Sequence, residues 1–104
     1  MAIFQNASGG ESQHIHGGVD ARGNKMWGDG FRSKQLGTGA YVIEFDRSFS
    51  GQPTAVCTIY GNPWYTFNIS VAVIEINPWQ FICFTSKPGD VVDCDFTFIA
   101  FGDL

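Results

Sequence analysis

Phe67-Asn68-Ile69-Ser70-Val71-Ala72-Val73-Ile74-Glu75-Ile76, Phe81-Ile82-Cys83-Phe84 and Phe96-Thr97-Phe98-Ile99-Ala100-Phe101 together form a stretch that is apolar on both alternating rows. Ile69, Val71 and Val73 make one row of the first segment, and Ala72, Ile74 and Ile76 make the other. In the last segment Phe96, Phe98 and Ala100 oppose Ile99 and Phe101. A strand with one wet face alternates apolar with polar residues, because successive side chains point to opposite faces. Here the wet face is largely missing, and a chain of 104 residues has little with which to cover both faces. The second apolar face is therefore expected to meet another copy of the chain in a symmetric oligomer.

Outward from this stretch, strand and turn signals fill the chain. Tyr41, Ile43 and Phe45 alternate with Val42 and Glu44, the pattern of a half-buried strand. Thr54 to Tyr60 reads as the next strand, with Pro53 at its start and Gly61-Asn62-Pro63 at its end. Asn77-Pro78-Trp79-Gln80 and Lys87-Pro88-Gly89-Asp90 read as turns between the later strands. Upstream, His14 to Asp20 reads as a short strand, Gly23 to Gly30 as a glycine-punctuated loop carrying Met26 and Trp27, and Phe31 to Leu36 as a strand. Residues 1–13 read as a polar arm or linker, and residues 14–104 as the sandwich domain. No window combines helical spacing of apolar residues with a capping residue. Turn signals recur every eight to twelve residues or so, the spacing of an all-β antiparallel sandwich of about six strands.

Composition narrows the function classes. The net charge is −4, and the six Lys and Arg residues are scattered, so an electrostatic nucleic-acid binder is not expected. No apolar stretch of about twenty residues is present to span a membrane as a helix, so no membrane insertion is expected. Met1 to Gly10 lacks the basic start and apolar middle of a signal peptide. Cys57, Cys83 and Cys94 lie within apolar strand patterns and read as small buried hydrophobes, with a Cys83 to Cys94 bridge as the alternative. Without a Cys-x-x-Cys spacing there is no zinc signal, and synthesis in a reducing compartment is expected.

The order of landmarks carries a resemblance. Gly39-Ala40-Tyr41-Val42-Ile43-Glu44-Phe45, then Phe49, Pro53-Thr54-Ala55-Val56 and Phe81, and finally Asp95-Phe96-Thr97-Phe98-Ile99-Ala100, resembles the core pattern of two related groups of small six-stranded sandwiches. One group is the H-type lectins, trimeric or hexameric binders of N-acetylgalactosamine-like sugars. The other is the carboxy-terminal tip domains of bacteriophage tail fibres, usually trimeric. Gly18-Val19-Asp20-Ala21-Arg22-Gly23 and Gly28-Asp29-Gly30-Phe31 are similar to the run-in of the fibre-tip group. The resemblance covers residues 17–102 and implies a trimer, with a hexamer as the alternative, and a virion or extracellular setting. Where the lectins carry a sugar-binding Arg and a Trp-containing loop, this chain has Phe67-Asn68-Ile69 and Thr85-Ser86-Lys87-Pro88. The lectin sugar site is therefore not carried over.

Candidate binding residues fall in the turns. Trp64 and Tyr65 come just after Gly61-Asn62-Pro63 at one end of the sandwich, where exposed aromatics stack on sugars or anchor a protein partner. Trp79 joins them only if the two loops share an end, and Arg32 and Asp90 are the charged candidates for the same cleft. If Pro63-Trp64 and Pro78-Trp79 instead fold back over the core, these aromatics are lids. His14 and His16, two residues apart, share one side of an extended segment. One chain offers too few ligands, but three copies around an axis would supply an octahedral nitrogen set for iron or nickel. The pair also resembles the His-x-His metal motif of trimeric phage fibres. Asp93 with Asp95, and Glu44 with Asp46, are the only carboxylate pairs spaced for glycosidase work, and solvated or turn-forming roles are the expectation for both. No Gly-x-Ser-x-Gly elbow is present, and an enzyme is not expected.

The sequence thus points to an oligomeric adhesion or receptor-binding module recognising a cell-surface glycan or protein through end loops. A trimerisation cap without ligand is the alternative, and a polysaccharide-cleaving enzyme is a distant third.

Overall fold

The inward apolar rows become the facing sides of two antiparallel sheets in the computed structural model, which describes residues 1–104. The elements are β1 (Ala2–Gln5), β2 (Glu11–Val19), β3 (Lys25–Gly28), β4 (Phe31–Gly37), β5 (Ala40–Phe45), β6 (Thr54–Ile59), α1 (Pro63–Thr66), β7 (Ser70–Asn77), β8 (Gln80–Lys87), β9 (Asp90–Val91) and β10 (Phe96–Asp103). One sheet has the order β1-β2-β10-β6, and β3 also pairs with β2 at Gly17–Val19, beyond the stretch taken by β1. The other has the order β4-β5-β8-β7, with β9 folded back onto the end of β8.

The all-β antiparallel sandwich read from the sequence is thus the observed architecture. Its strands number ten, because β1, β3 and β9 are short edge segments with no clear alternation of their own.

Between the sheets, Ile15, Val19, Phe96, Phe98 and Ala100 meet Phe31, Tyr41, Ile43, Phe45, Phe81 and Cys83. Aromatic rings dominate this core and meet edge to face, Phe31 on Phe98 at 4.9 Å and Phe81 on Phe98 at 5.3 Å between centroids. Such pairs contribute roughly 0.5–1.5 kcal/mol each beyond their buried area. The packing is close enough to dictate glycine: a Cβ at Gly17 would sit 2.5 Å from the Phe31 ring. Tyr41 carries the one buried phenol, donating to Ala21 O at 2.7 Å and accepting from Cys94 N at 3.3 Å. Burial pushes its pKa up to about 12.

Three segments differ from the sequence reading. Residues 1–13 are not an arm: Ala2–Gln5 pairs with Glu11–His14, and Asn6 Oδ1 accepts from Ser8 N and Gly10 N to close the hairpin. Gln13 is fully buried and donates to Arg47 O at 3.0 Å, so this hairpin is part of the sandwich. The 23–30 loop contains β3, held by pairing Gly28 to Gly17 and Trp27 to Gly18. The strand expected from Phe67 starts at Ser70, and a register irregularity between Val73 and Glu75 changes which residues face inward. A bulge re-aims the chain by one residue. Ile76 therefore packs on the core with Val71 and Val73, while Ile74 stays outside.

The outer rows remain exposed in the single chain. Val56, Ile99 and Phe101 lie together on the first sheet, where Ile99 pairs with Val56, and Ile74 and Phe84 lie on the second. All three cysteines are free thiols. Cys83 and Cys94 are buried, and the neighbour of Cys83 is Cys57, which together with burial raises the Cys83 pKa.

Candidate binding site

Asn62-Pro63-Trp64 starts a one-turn helix where the sequence reading has a loop. Asn62 is extended (φ −63°, ψ 127°), and its Oδ1 accepts from Trp64 N at 2.9 Å. Pro63 occupies the first helical position, where a missing N–H costs nothing. Phe67 N then donates to Pro63 O, and Ile69 N to Thr66 O, turning the chain into β7. None of the α1 residues is buried. Trp64 is 90% exposed, Phe67 80% and Tyr65 60%. Tyr65 is nevertheless anchored, its hydroxyl donating to Asp93 O at 3.1 Å.

Two hollows adjoin this knuckle. An open apolar one of about 470 Å³ is bounded by Pro63, Trp64 and Phe67. A second, of about 230 Å³, lies between Trp64, Tyr65, Asn68, Ile69, Lys87 and Val92, where α1 meets the β8–β9 hairpin. Asp90 belongs to this end, opposite Lys87 in that hairpin.

Trp79 and Arg32 do not. Trp79 sits in the β7–β8 turn, and Arg32 pairs with Glu44, which pairs with Gln80. The eight residues of β7 separate this end from α1, roughly 25 Å at about 3.3 Å per residue. The two loops do not share an end, so the condition for Trp79 joining Trp64 and Tyr65 is not met, and of the charged candidates for their cleft Asp90 lies at the α1 end while Arg32 lies at the other. The lid reading fails for Trp64, while Trp79 is 57% exposed on a turn bonded to the core.

Pro63, Phe67, Asn68, Ile69, Lys87 and Val92 line these hollows and were not among the candidates read from the sequence. Asn62-Pro63 was the available signal, since an N-cap before proline starts a helix and breaks the strand otherwise read through Phe67.

His14 and His16 project from the outer face of the first sheet, with ring centroids 5.7 Å apart, and His14 stacks on Phe4 at 5.4 Å. No third metal-ligating side chain joins them within the chain. Two imidazoles on one face fit a metal only as part of a set assembled from several copies. Asp93 Oδ1 accepts from Gln35 Nε2 and Gly39 N, each at 2.7 Å, and Asp95 Oδ1 accepts from Ala21 N at 2.7 Å. These carboxylates hold loops to the sandwich.

No protein-family model matches the chain. A search of curated proteins likewise gives no match. Among solved structures, an N-truncated R1-type pyocin tail fiber is similar, with a TM-score of 0.51 and 12% identity, over 97% of this chain and 84% of that one. At that identity the likeness is one of architecture, and it sets the two-sheet sandwich beside a tail-fibre fold.

Proposed function

We propose that this chain is a fibre-tip module that recognises a cell-surface glycan or protein through the α1 end of the sandwich, in a virion-associated or extracellular setting. One observation carries the reading: three aromatics, Trp64, Tyr65 and Phe67, stand exposed on a turn fixed by an Asn cap and a tyrosine hydrogen bond. Large exposed aromatics on a rigid loop are what a binding surface presents, because little entropy remains to be lost on contact. The tail-fibre-like fold supports the setting. Binding of labelled protein to a glycan array and to cells tests it: Trp64→Ala should abolish capture, and unchanged capture would exclude this end.

The module works as a trimer, assembled through the outer apolar row of Val56, Ile99 and Phe101. Sedimentation should give a trimer, and Ile99→Asp should release monomers. His14 and His16 lie on that same sheet face, with His16 paired to Ile99, so a trimer would gather the imidazoles from which an iron or nickel site is built. Metal analysis of the trimer tests this part.

A further inference from the structure

We propose that the hollow between α1 and the β8–β9 hairpin binds an anionic sugar, its apolar ring face on Trp64 and its carboxylate or phosphate at Lys87. This deepens the end-loop reading of the function and rests on it.

Size is the first argument. At about 230 Å³ the hollow lies below the roughly 300–1,000 Å³ of sites for drug-sized ligands, which suits one ring rather than an extended chain. Its walls are the second. Trp64, Tyr65, Ile69 and Val92 offer apolar contact, while Asn68 and Lys87 supply an amide and an ammonium. That mixture matches a pyranose, which has an apolar face and a polar rim.

Charge is the third argument. The single ion pair in the structure joins the Met1 amino group to Asp29, so Lys87 has no carboxylate in contact. Two acidic residues lie near it. Asp93 is engaged by Gln35 and Gly39, and Asp90 stands opposite Lys87 in the hairpin without bonding it. Lys87 is exposed, so with a neutral sugar its ammonium stays solvated and adds nothing to binding. An anionic sugar uses both the aromatic wall and the ammonium, by stacking and by a charge-assisted hydrogen bond. The site is also preformed, since the Asn62 cap sets Trp64 and the Asp93 carbonyl holds Tyr65.

The test titrates the intact chain with glucuronate, a glucose phosphate and neutral methyl glucoside, reading the indole N–H resonances. The protein has three tryptophans, so Trp27 and Trp79 serve as internal controls. With the anionic sugars the Trp64 resonance should shift and the Trp79 resonance should not. Lys87→Met should weaken the anionic sugars by about three- to fivefold while leaving the neutral one unchanged, and Asp90→Asn should strengthen them. The stronger of the two anionic titrations identifies carboxylate or phosphate as the source. Equal response to neutral and anionic sugars, indifferent to Lys87→Met, would overturn the anionic assignment while leaving glycan binding at this end intact. A silent Trp64 with every sugar would overturn it too, and cell capture lost in Trp64→Ala without any binding to the glycan array would then point to a protein receptor.

Discussion

The tripeptide Asn-Pro-Trp occurs twice, at Asn62-Pro63-Trp64 and at Asn77-Pro78-Trp79, and the two copies end in different surroundings. Locally they behave alike. Asn62 Oδ1 accepts from Trp64 N, and Asn77 Oδ1 accepts from Trp79 N at 3.1 Å and Gln80 N at 3.0 Å. Asparagine before proline closes on the backbone two residues later wherever nothing opposes it. Their long-range bonds differ. Pro78 O accepts from Phe49 N and Trp79 O from Phe45 N, so the second copy is fastened to a loop whose Phe45 and Phe49 rings meet at 5.0 Å in the core. The first copy has no such backbone bonds to distant strands, and its own carbonyls close a helical turn that leaves Trp64 outside. A shared local motif sets the turn, and long-range backbone bonds decide whether that turn belongs to the core or to the surface.

Substitutions at the two ends press on this contrast. Phe45→Ala, behind the fastened copy, should cost about 3–5 kcal/mol in chemical denaturation, the range for emptying a buried aromatic site. A loss as small as that of a surface change would remove the distinction between the two ends. Tyr41→Phe should cost about 1–3 kcal/mol, because Ala21 O and Cys94 N lose their shared buried partner. It also has a pH signature. The Tyr41 pKa is raised from 10.0 to about 12 on folding, so its contribution is complete below pH 10 and is lost as pH rises through about 12. Denaturation midpoints should fall over that window in the wild type more steeply than in Tyr41→Phe.

The two asparagines sharpen the comparison further. Asn77→Ala should cost about 1 kcal/mol by denaturation, as for loss of a helix or turn cap. Asn62→Ala should cost no more in global stability, but should broaden the Trp64 indole resonance as the turn frays. The smallest effect belongs to Trp64→Ala, within about 0.5 kcal/mol of wild type, since the side chain is almost wholly exposed. A large destabilisation there would mean that the α1 aromatics serve the fold.

The inner rows of the sandwich were legible because alternation is a property of neighbouring residues. Tyr41, Ile43 and Phe45 read as one row of a half-buried strand and Phe96, Phe98 and Ala100 as one row of the last strand, and both rows lie in the core. The excess of apolar residues was legible for the same reason, and Val56, Ile99 and Phe101 remain exposed on an outer face. Trp64 and Tyr65 were legible as an end-loop feature from Gly61-Asn62-Pro63.

Other features depended on strands far apart in sequence. The β7 bulge that turns Ile76 inward, away from the outer row of Ala72 and Ile74, reflects pairing with β8, and no residue type marks it. Ala2–Gln5 and Lys25–Gly28 become strands only because β2 offers them an edge. Trp79 and Arg32 part from Trp64, and Lys87 joins it, because β7 and β8 run antiparallel between the two ends. Sequence alone thus determined which side chains leave water and where the chain turns, since both arise from local chemistry. The tertiary structure decided which turns share an end, because strand order and register are set by contacts between distant residues.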